Sequence, residues 1–437
     1  MRTRGGTGRT ARAGGRGVPS GAARPTEAAA EAGRGRSRRR GPALCATALA
    51  AVLLAAGCSS GGPAEDNPLA HHPSTGAASA RSSAPGHSAP SASATPSASP
   101  SAAPAKGSAK VVGTVATGLS APWGLVQLPD GGLLVAERDS GTIVRVDPNT
   151  HSVTTIGLVP GVTHTKGGEN GLLGLALSPD FGADHLVYAY FSTDSDNRVA
   201  SMLYDPSRPA GEQLGAPDTI LRGIPTGTLH NGGRIAFGPD GDLYAGTGET
   251  GQRALAQDKA SLGGKILRMT PDGRPPSDNP IPGSLVYSTG HRNVQGLAWD
   301  SAGRLWASEF GQDTWDELNL IVPGGNYGWP DVEGIAHHPG FIDPVVQWHT
   351  DEASPSGIAY AAGCIWMASL KGERLWRIPL AGTRAAAAPQ AFLTGKYGRL
   401  RTVVATDDHT LLLTTSNTDD RGTPHSGDDR VLKLTVS

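Results

Sequence analysis

From about Lys110 onward the chain repeats one pattern. An apolar run of four to seven residues is followed by a turn of the Pro-Asp-Gly kind, then a second short apolar run, and often a third ending in a basic residue. The runs LLVAE, DLYAGT, RLWASE and TLLLTT alternate or are apolar throughout, and Gly, Pro and Asp bound them, which reads as β-strand. No stretch keeps helical periodicity over three turns. Units begin near Trp123, Leu172, Gly233, Gln295, Ser356 and Arg401. Their spacing of about 45–60 residues is that of propeller blades. The pattern predicts an all-β, six-bladed β-propeller over 110–437. Closing such a ring hides sheet edges, and its central channel, rimmed by loops between strands, is the expected ligand site.

The first hundred or so residues are Ala, Gly, Ser, Pro and Arg, with almost no aromatics. Within them Arg34–Arg40 (RGRSRRR) precedes the apolar run Ala43–Ala56, and Gly57-Cys58-Ser59-Ser60 follows. Basic, then apolar, then small is the order of an export signal, and the run is too short for a permanent membrane span. LLAAGC resembles a bacterial lipoprotein box, with Cys58 as the lipidated residue. Residues 1–57 are therefore expected to be a signal peptide. Residues 58–109, rich in Ser, Pro and Ala, are expected to be a disordered tether to the outer face of the cell membrane, which the protein meets only through the lipid. Cys45 leaves with the signal, so Cys364 alone would remain, in the strand-like GCIWMAS, as a buried inert thiol.

Removing the signal changes the charge. Of 38 basic and 39 acidic residues, 11 and 2 lie in residues 1–57, which leaves 27 and 37, a net of −10. A protein that acidic is a poor nucleic-acid binder.

Several polar clusters interrupt the strand pattern. His230 sits in LHNGGR, where paired glycines permit close backbone approach; a histidine there is structural or chemical. Gly290-His291-Arg292-Asn293-Val294-Gln295 is a poor core segment, and reads as a ligand clamp or a solvated turn. The loop from Glu309 to Glu317, followed by Gly324–Pro330, offers carboxylates and turn carbonyls of the kind calcium takes, without EF-hand spacing. It equally suits a polar interblade loop pinned by Tyr327 and Trp329. Arg399 and Arg401 share a face if they lie on a strand, and with Lys371 they suit a polycarboxylate or a solvated basic edge.

Taken together, GENGLLGLALSPDF, HNGGRIAFGPDG, GGKILRMTPDGRPPSDNP, GHRNVQGLAWD, EFGQDTWDELNLIVPGGNYGWP, PSGIAY, SLKGERLWRI and GRLR resemble, in order, the soluble dehydrogenases of glucose and aldose sugars that depend on pyrroloquinoline quinone (PQQ). These phrases cover nearly all of 115–437. The resemblance implies oxidation of an aldose at its anomeric carbon to a lactone, with hydride passing to PQQ and electrons to an unidentified acceptor. It implies His230 as general base, Arg292 beside the quinone oxygen, and Glu169 and Asn293 at the cofactor. Lys371, Arg399 and Arg401 would meet the cofactor's carboxylates. Main-chain oxygens of Gly311 and Gln312 would hold the calcium that orients the quinone. The Glu317 side chain and the Tyr327 carbonyl would hold a structural calcium. The chain departs from the glucose-type pattern in four places: Glu169 stands for Gln, Leu229 for Asp, and Phe310 and Gln312 for Gln and Pro. It also lacks the long insertions of the glucose-specific members, so broader aldose specificity is expected.

Two other functions compete: a non-catalytic extracellular propeller that binds carbohydrate or another ligand, and a calcium-dependent lactonase. A binding module has no reason to keep a base and a polycarboxylate clamp in one channel. No set of carboxylate and amide ligands converging on one axial calcium is evident. The dehydrogenase reading is preferred.

Overall fold

A computed structural model describes residues 102–437. The expected signal peptide, Cys45, Cys58 and most of the expected tether lie outside these residues. Six antiparallel sheets follow one another around a ring, as the repeat predicts. Their innermost strands are Pro122–Gln127, Leu172–Leu177, Ile235–Phe237, Val294–Trp299, Pro355–Ala361 and Leu400–Asp407. These begin at or within a few residues of the six unit starts read from the sequence. Ring closure was not legible there. The sixth sheet takes its outermost strand, Ala109–Ala116, from the start of the folded part, and pairs it antiparallel with the C-terminal strand Val431–Val436.

The folded part also starts earlier than residue 110. Ala103 N–H donates to Leu380 O, Arg377 donates to Pro104 O, and Gly107 N–H donates to Gln390 Oε1. Residues 103–108, assigned to the tether from their composition, thus run along the fifth blade. Arg377, fully buried, supplies the donors that a Pro- and Ala-rich segment lacks.

The pattern inside each blade follows from how blades pack. Six hydrophobic clusters fill the six spaces between adjacent sheets. Tyr190 and Val199 of the second blade meet Ile235 and Leu267 of the third, for example, and Leu412 and Val431 of the sixth meet Leu125 and Val135 of the first. Both faces of every sheet are covered, so inner strands are apolar without alternation. Five of the six innermost strands carry a register shift near their start. In the second blade it brackets Gly174, where a Cβ would collide with Gly233 O of the next blade. Bulge and glycine together let neighbouring inner strands converge on the axis.

A buried lysine holds the loop above the third blade. Lys265 is fully buried, and its ammonium donates to Leu255 O, Ala256 O (3.0 Å) and Gly263 O (2.8 Å). Burial pushes this amine down to about 8, while three carbonyl acceptors favour its charged form. It anchors residues 247–264, which carry Glu249. Lys265→Met strands three carbonyls, and is expected to lower unfolding free energy by about 3 kcal/mol or more. Denaturant melts would show it, and a loss under ~1 kcal/mol would refute the anchor.

Candidate active site

At one mouth of the ring lies a cavity of about 390 Å³. Nine of the residues singled out in the sequence line it: Glu169, His230, Arg292, Asn293, Gly311, Gln312, Lys371, Arg399 and Arg401. They come from loops between and within blades and, for Arg401, from the start of strand Leu400–Asp407, so only the closed ring brings them together. Below the cavity the channel is plugged. Arg234 lies 4.3 Å from the Trp123 ring centre and donates to Gln295 O (2.8 Å) and Thr402 Oγ1 (2.9 Å).

His230 is held in the left-handed region at φ 55°, a conformation that costs a non-glycine residue about 1–2 kcal/mol. Its surroundings hold it there. The His230 N–H donates to Glu169 Oε2 (2.8 Å), and its carbonyl accepts from Thr250 N–H (3.2 Å). Gly248 passes so close that a Cβ on it would overlap the His230 carbonyl. This lets the next residue, Glu249, reach the imidazole: Nδ1 and Glu249 Oε1 are 2.7 Å apart, with the carboxylate buried. On the other side, Nε2 lies 2.9 Å from Arg292 Nη2. A guanidinium can only donate, and a carboxylate accepts. The imidazole is therefore neutral, with its proton on Nδ1 and its Nε2 lone pair facing Arg292.

Arg292 is fixed by Gln312 Oε1 (2.8 and 3.1 Å) and Phe310 O (3.2 Å), and lies 5.6 Å from the Trp329 ring centre. Burial holds its pKa below the ordinary guanidinium value, and Glu249 and Glu169 offset this only in part. Asn293 accepts from Gly232 N–H (2.8 Å) and donates to Glu169 (3.4 Å). The sequence order His291, Arg292 translates into opposite directions. Arg292 turns to the cavity, and His291 points inward, fully buried between Ser288 Oγ and Glu309 (both 2.8 Å) and stacked on Tyr327. Burial drives His291 down to about 3, so it stays neutral. Of this motif, Arg292, Asn293 and Gln295 line the cavity, and His291 does not.

The opposite wall is cationic. Arg399 and Arg401 both donate to Asp419 Oδ2 (3.0 and 3.1 Å), which confirms that they share a face. Arg138 and Arg421 also line the cavity, and exposed Lys371 stands at its edge. Leu229, 41% exposed, stands at the mouth.

Gly311 and Gln312 are shaped by a residue the sequence did not flag. Glu333 Oε1 accepts the N–H groups of Gln312, Asp313, Thr314 and Trp315 (2.7–3.1 Å). Burial would raise its pKa, but these four donors hold it below the usual carboxylate range. With the N–H groups turned to Glu333, the Gly311 and Gln312 carbonyls accept no hydrogen bond among the described residues. Glu317 and Tyr327 do not reach the cavity. They lie in the layer of His291, where Glu317 packs against Glu309 and accepts from Asn319 Nδ2 (3.1 Å) and Gly334 N–H (2.7 Å). Burial pushes Glu309 up to about 8, and burial with the neighbouring carboxylate pushes Glu317 well above its usual range. Asn319 Oδ1, also buried, has no hydrogen-bond partner among the described residues.

Residues 119–423 match the model of the glucose/sorbosone dehydrogenase family. The chain belongs to that family. Its fold is that of the PQQ-bound aldose sugar dehydrogenase of Streptomyces coelicolor, with 67% sequence identity, a TM-score of 0.76, and 77% of this chain and 100% of that chain covered. Quinoprotein glucose dehydrogenase B of Acinetobacter calcoaceticus is 35% identical over 283 residues, and the aldose sugar dehydrogenase of Escherichia coli is 33% identical over 270. These alignments span 57% and 55% of this chain, and 59% and 71% of the relatives' own lengths. Of the residues that complete this family member's cavity, Glu249, Asp419, Arg421 and Glu333 were absent from the sequence expectation. Glu249 follows the strand DLYAG and could have been sought as a carboxylate partner for His230. The others lie in loops with no recognisable phrase.

Proposed function

We propose that the protein is a PQQ- and calcium-dependent dehydrogenase that oxidises aldoses at the anomeric carbon to lactones. The observation that carries this reading is an imidazole held between Glu249 and Arg292 at a cavity lined by six cationic side chains. The likeness to a PQQ-bound aldose sugar dehydrogenase supports it. PQQ is a planar tricarboxylate, and Arg399, Arg401 and Lys371 suit those carboxylates. When bound, the quinone supplies the hydride acceptor.

The chain's own residues supply the rest. Once Arg292 Nη2 turns from Nε2 to the negative charge beside it, His230 Nε2 takes the proton of the anomeric hydroxyl, and Glu249 stabilises the imidazolium that results. Arg292 meets that negative charge as it develops. The free carbonyls of Gly311 and Gln312 suit the calcium that orients the cofactor. Glu317, with the Tyr327 carbonyl and beside the unpartnered Asn319 Oδ1, suits a structural calcium. A divalent cation there would relieve the repulsion of two buried carboxylates. Leu229 offers no hydrogen bond at the mouth, in keeping with broad aldose specificity. Export and lipidation at Cys58 are part of the proposal and rest on the sequence of residues 34–60 alone.

The test is reconstitution. Chelator-stripped protein is given calcium, then PQQ, and dye reduction is followed across a panel of aldoses. Turnover requiring both additions is expected. Quinone binding without turnover on any sugar would leave a binding propeller, and failure to bind the quinone would end the proposal.

A further inference from the structure

Glu169 faces a cavity whose other walls are built for an anion. Its Oε2 accepts from the His230 N–H and the Asn293 amide, and its Oε1 accepts from Arg421 Nη1 at 3.0 Å. Arg421 comes from 252 positions away, in the loop after the second strand of the sixth blade. Three further bonds tie that loop in place. Arg421 Nη2 donates to Gly167 O (3.1 Å), Gly167 N–H donates to Asp420 Oδ2 (3.1 Å), and Arg421 N–H donates to Asp419 Oδ1 (3.1 Å). The same Asp419 holds Arg399 and Arg401. Glu169 and Arg421 are 18% and 38% exposed, so solvent only partly screens them.

An ionised carboxylate in that position repels a polycarboxylate ligand. It also holds the His230 N–H, so it cannot turn away without releasing the base. We propose that Arg421 is a positioning residue that neutralises Glu169, so that an anionic cofactor can bind beside it while Glu169 keeps its grip on His230. This rests on the PQQ reading. It also explains how the chain tolerates a carboxylate where the resemblance expects Gln: the charge introduced at 169 is matched by one at 421.

The experiment measures PQQ affinity directly, by titration calorimetry on the calcium-loaded full chain, for wild type, Arg421→Ala, Arg421→Lys, Glu169→Gln and the double variant Glu169→Gln/Arg421→Ala. Arg421→Ala is expected to weaken binding about ten-fold or more, because it leaves one unscreened like charge within a few ångströms. The double variant is expected to return to within about three-fold of wild type, a recovery that two merely structural losses could not give. Arg421→Lys keeps the charge without the fork, and is expected to stay within about three-fold as well. Wild-type affinity in Arg421→Ala, a double variant no better than Arg421→Ala, or equal loss in Arg421→Lys and Arg421→Ala would each overturn the inference. A wild-type chain that binds no PQQ overturns the dehydrogenase reading and the inference with it.

Discussion

Replacing His230 by Ala is expected to lower kcat for aldose oxidation by roughly 10³-fold or more while PQQ affinity stays within a few-fold of wild type. The separation follows from the geometry. His230 touches Glu249 and Arg292 through its ring and Glu169 through its backbone N–H, and only the ring is lost. The cationic wall of Arg399 and Arg401, on the far side, is untouched. Glu249→Gln sharpens the test. A carboxylate fixes the proton on Nδ1, whereas an amide can instead present its N–H to Nδ1 and drive the proton onto Nε2, the wrong tautomer for a base. Its kcat is expected to fall about 10²-fold, and a fully neutral swap would mean Glu249 does not act through the imidazole. If His230→Ala lost quinone affinity and kcat together, the histidine would be a cofactor contact and another group would have to take the proton.

The parts legible in the sequence are those whose cause is local. Inner strands read as apolar because both sheet faces are covered, and turns read as turns because their Asp side chains bind the following backbone. Asp300 accepts from the Ala302 and Arg304 N–H groups and Trp306 Nε1, for example. The phrases around His230, Arg292 and Arg399 keep spacing that survives as sequence. What the sequence could not display was pairing across the ring. Arg421 sits in SNTDDRGTPHSG, which reads as a solvated loop, and its partner Glu169 is on another blade. Asp419, in the same loop, reads as one more exposed acid, yet it is buried beneath two arginines. Strand Ala109–Ala116 adjoined a tether-like composition and gave no sign of its C-terminal partner. The direction of neighbouring side chains was equally hidden, which is why His291 looked like part of a clamp.

Asp419→Asn is expected to lower the stability of the folded chain by about 3 kcal/mol at neutral pH. Arg399 Nε and Nη2, Arg401 Nη2 and Ser416 Oγ all converge on one oxygen of this carboxylate, which is 1% exposed. An amide keeps the shape but leaves two arginines, one of them buried, without their counter-charge. Burial alone would raise the pKa of Asp419, but Arg401 and Arg399 outweigh it and hold the carboxyl at about 2 against an ordinary 3.8. A depressed carboxylate contributes stability above its unfolded value and loses it as pH falls through the folded one. The ion-pair contribution, roughly 2 kcal/mol from that shift, is therefore complete above pH ~4 and gone near pH ~2. Denaturant melts of wild type and Asp419→Asn should differ most at pH 6–7 and converge as pH falls through that window. The same loss leaves the cationic wall unneutralised, so a bound polycarboxylate should restore part of the stability in the variant, and more than it adds to wild type. A gap that kept its neutral-pH size at pH ~2 would mean that Asp419 acts by packing and hydrogen bonding rather than by charge. Equal stabilisation of both proteins by the ligand would mean that Arg399 and Arg401 do not reach it.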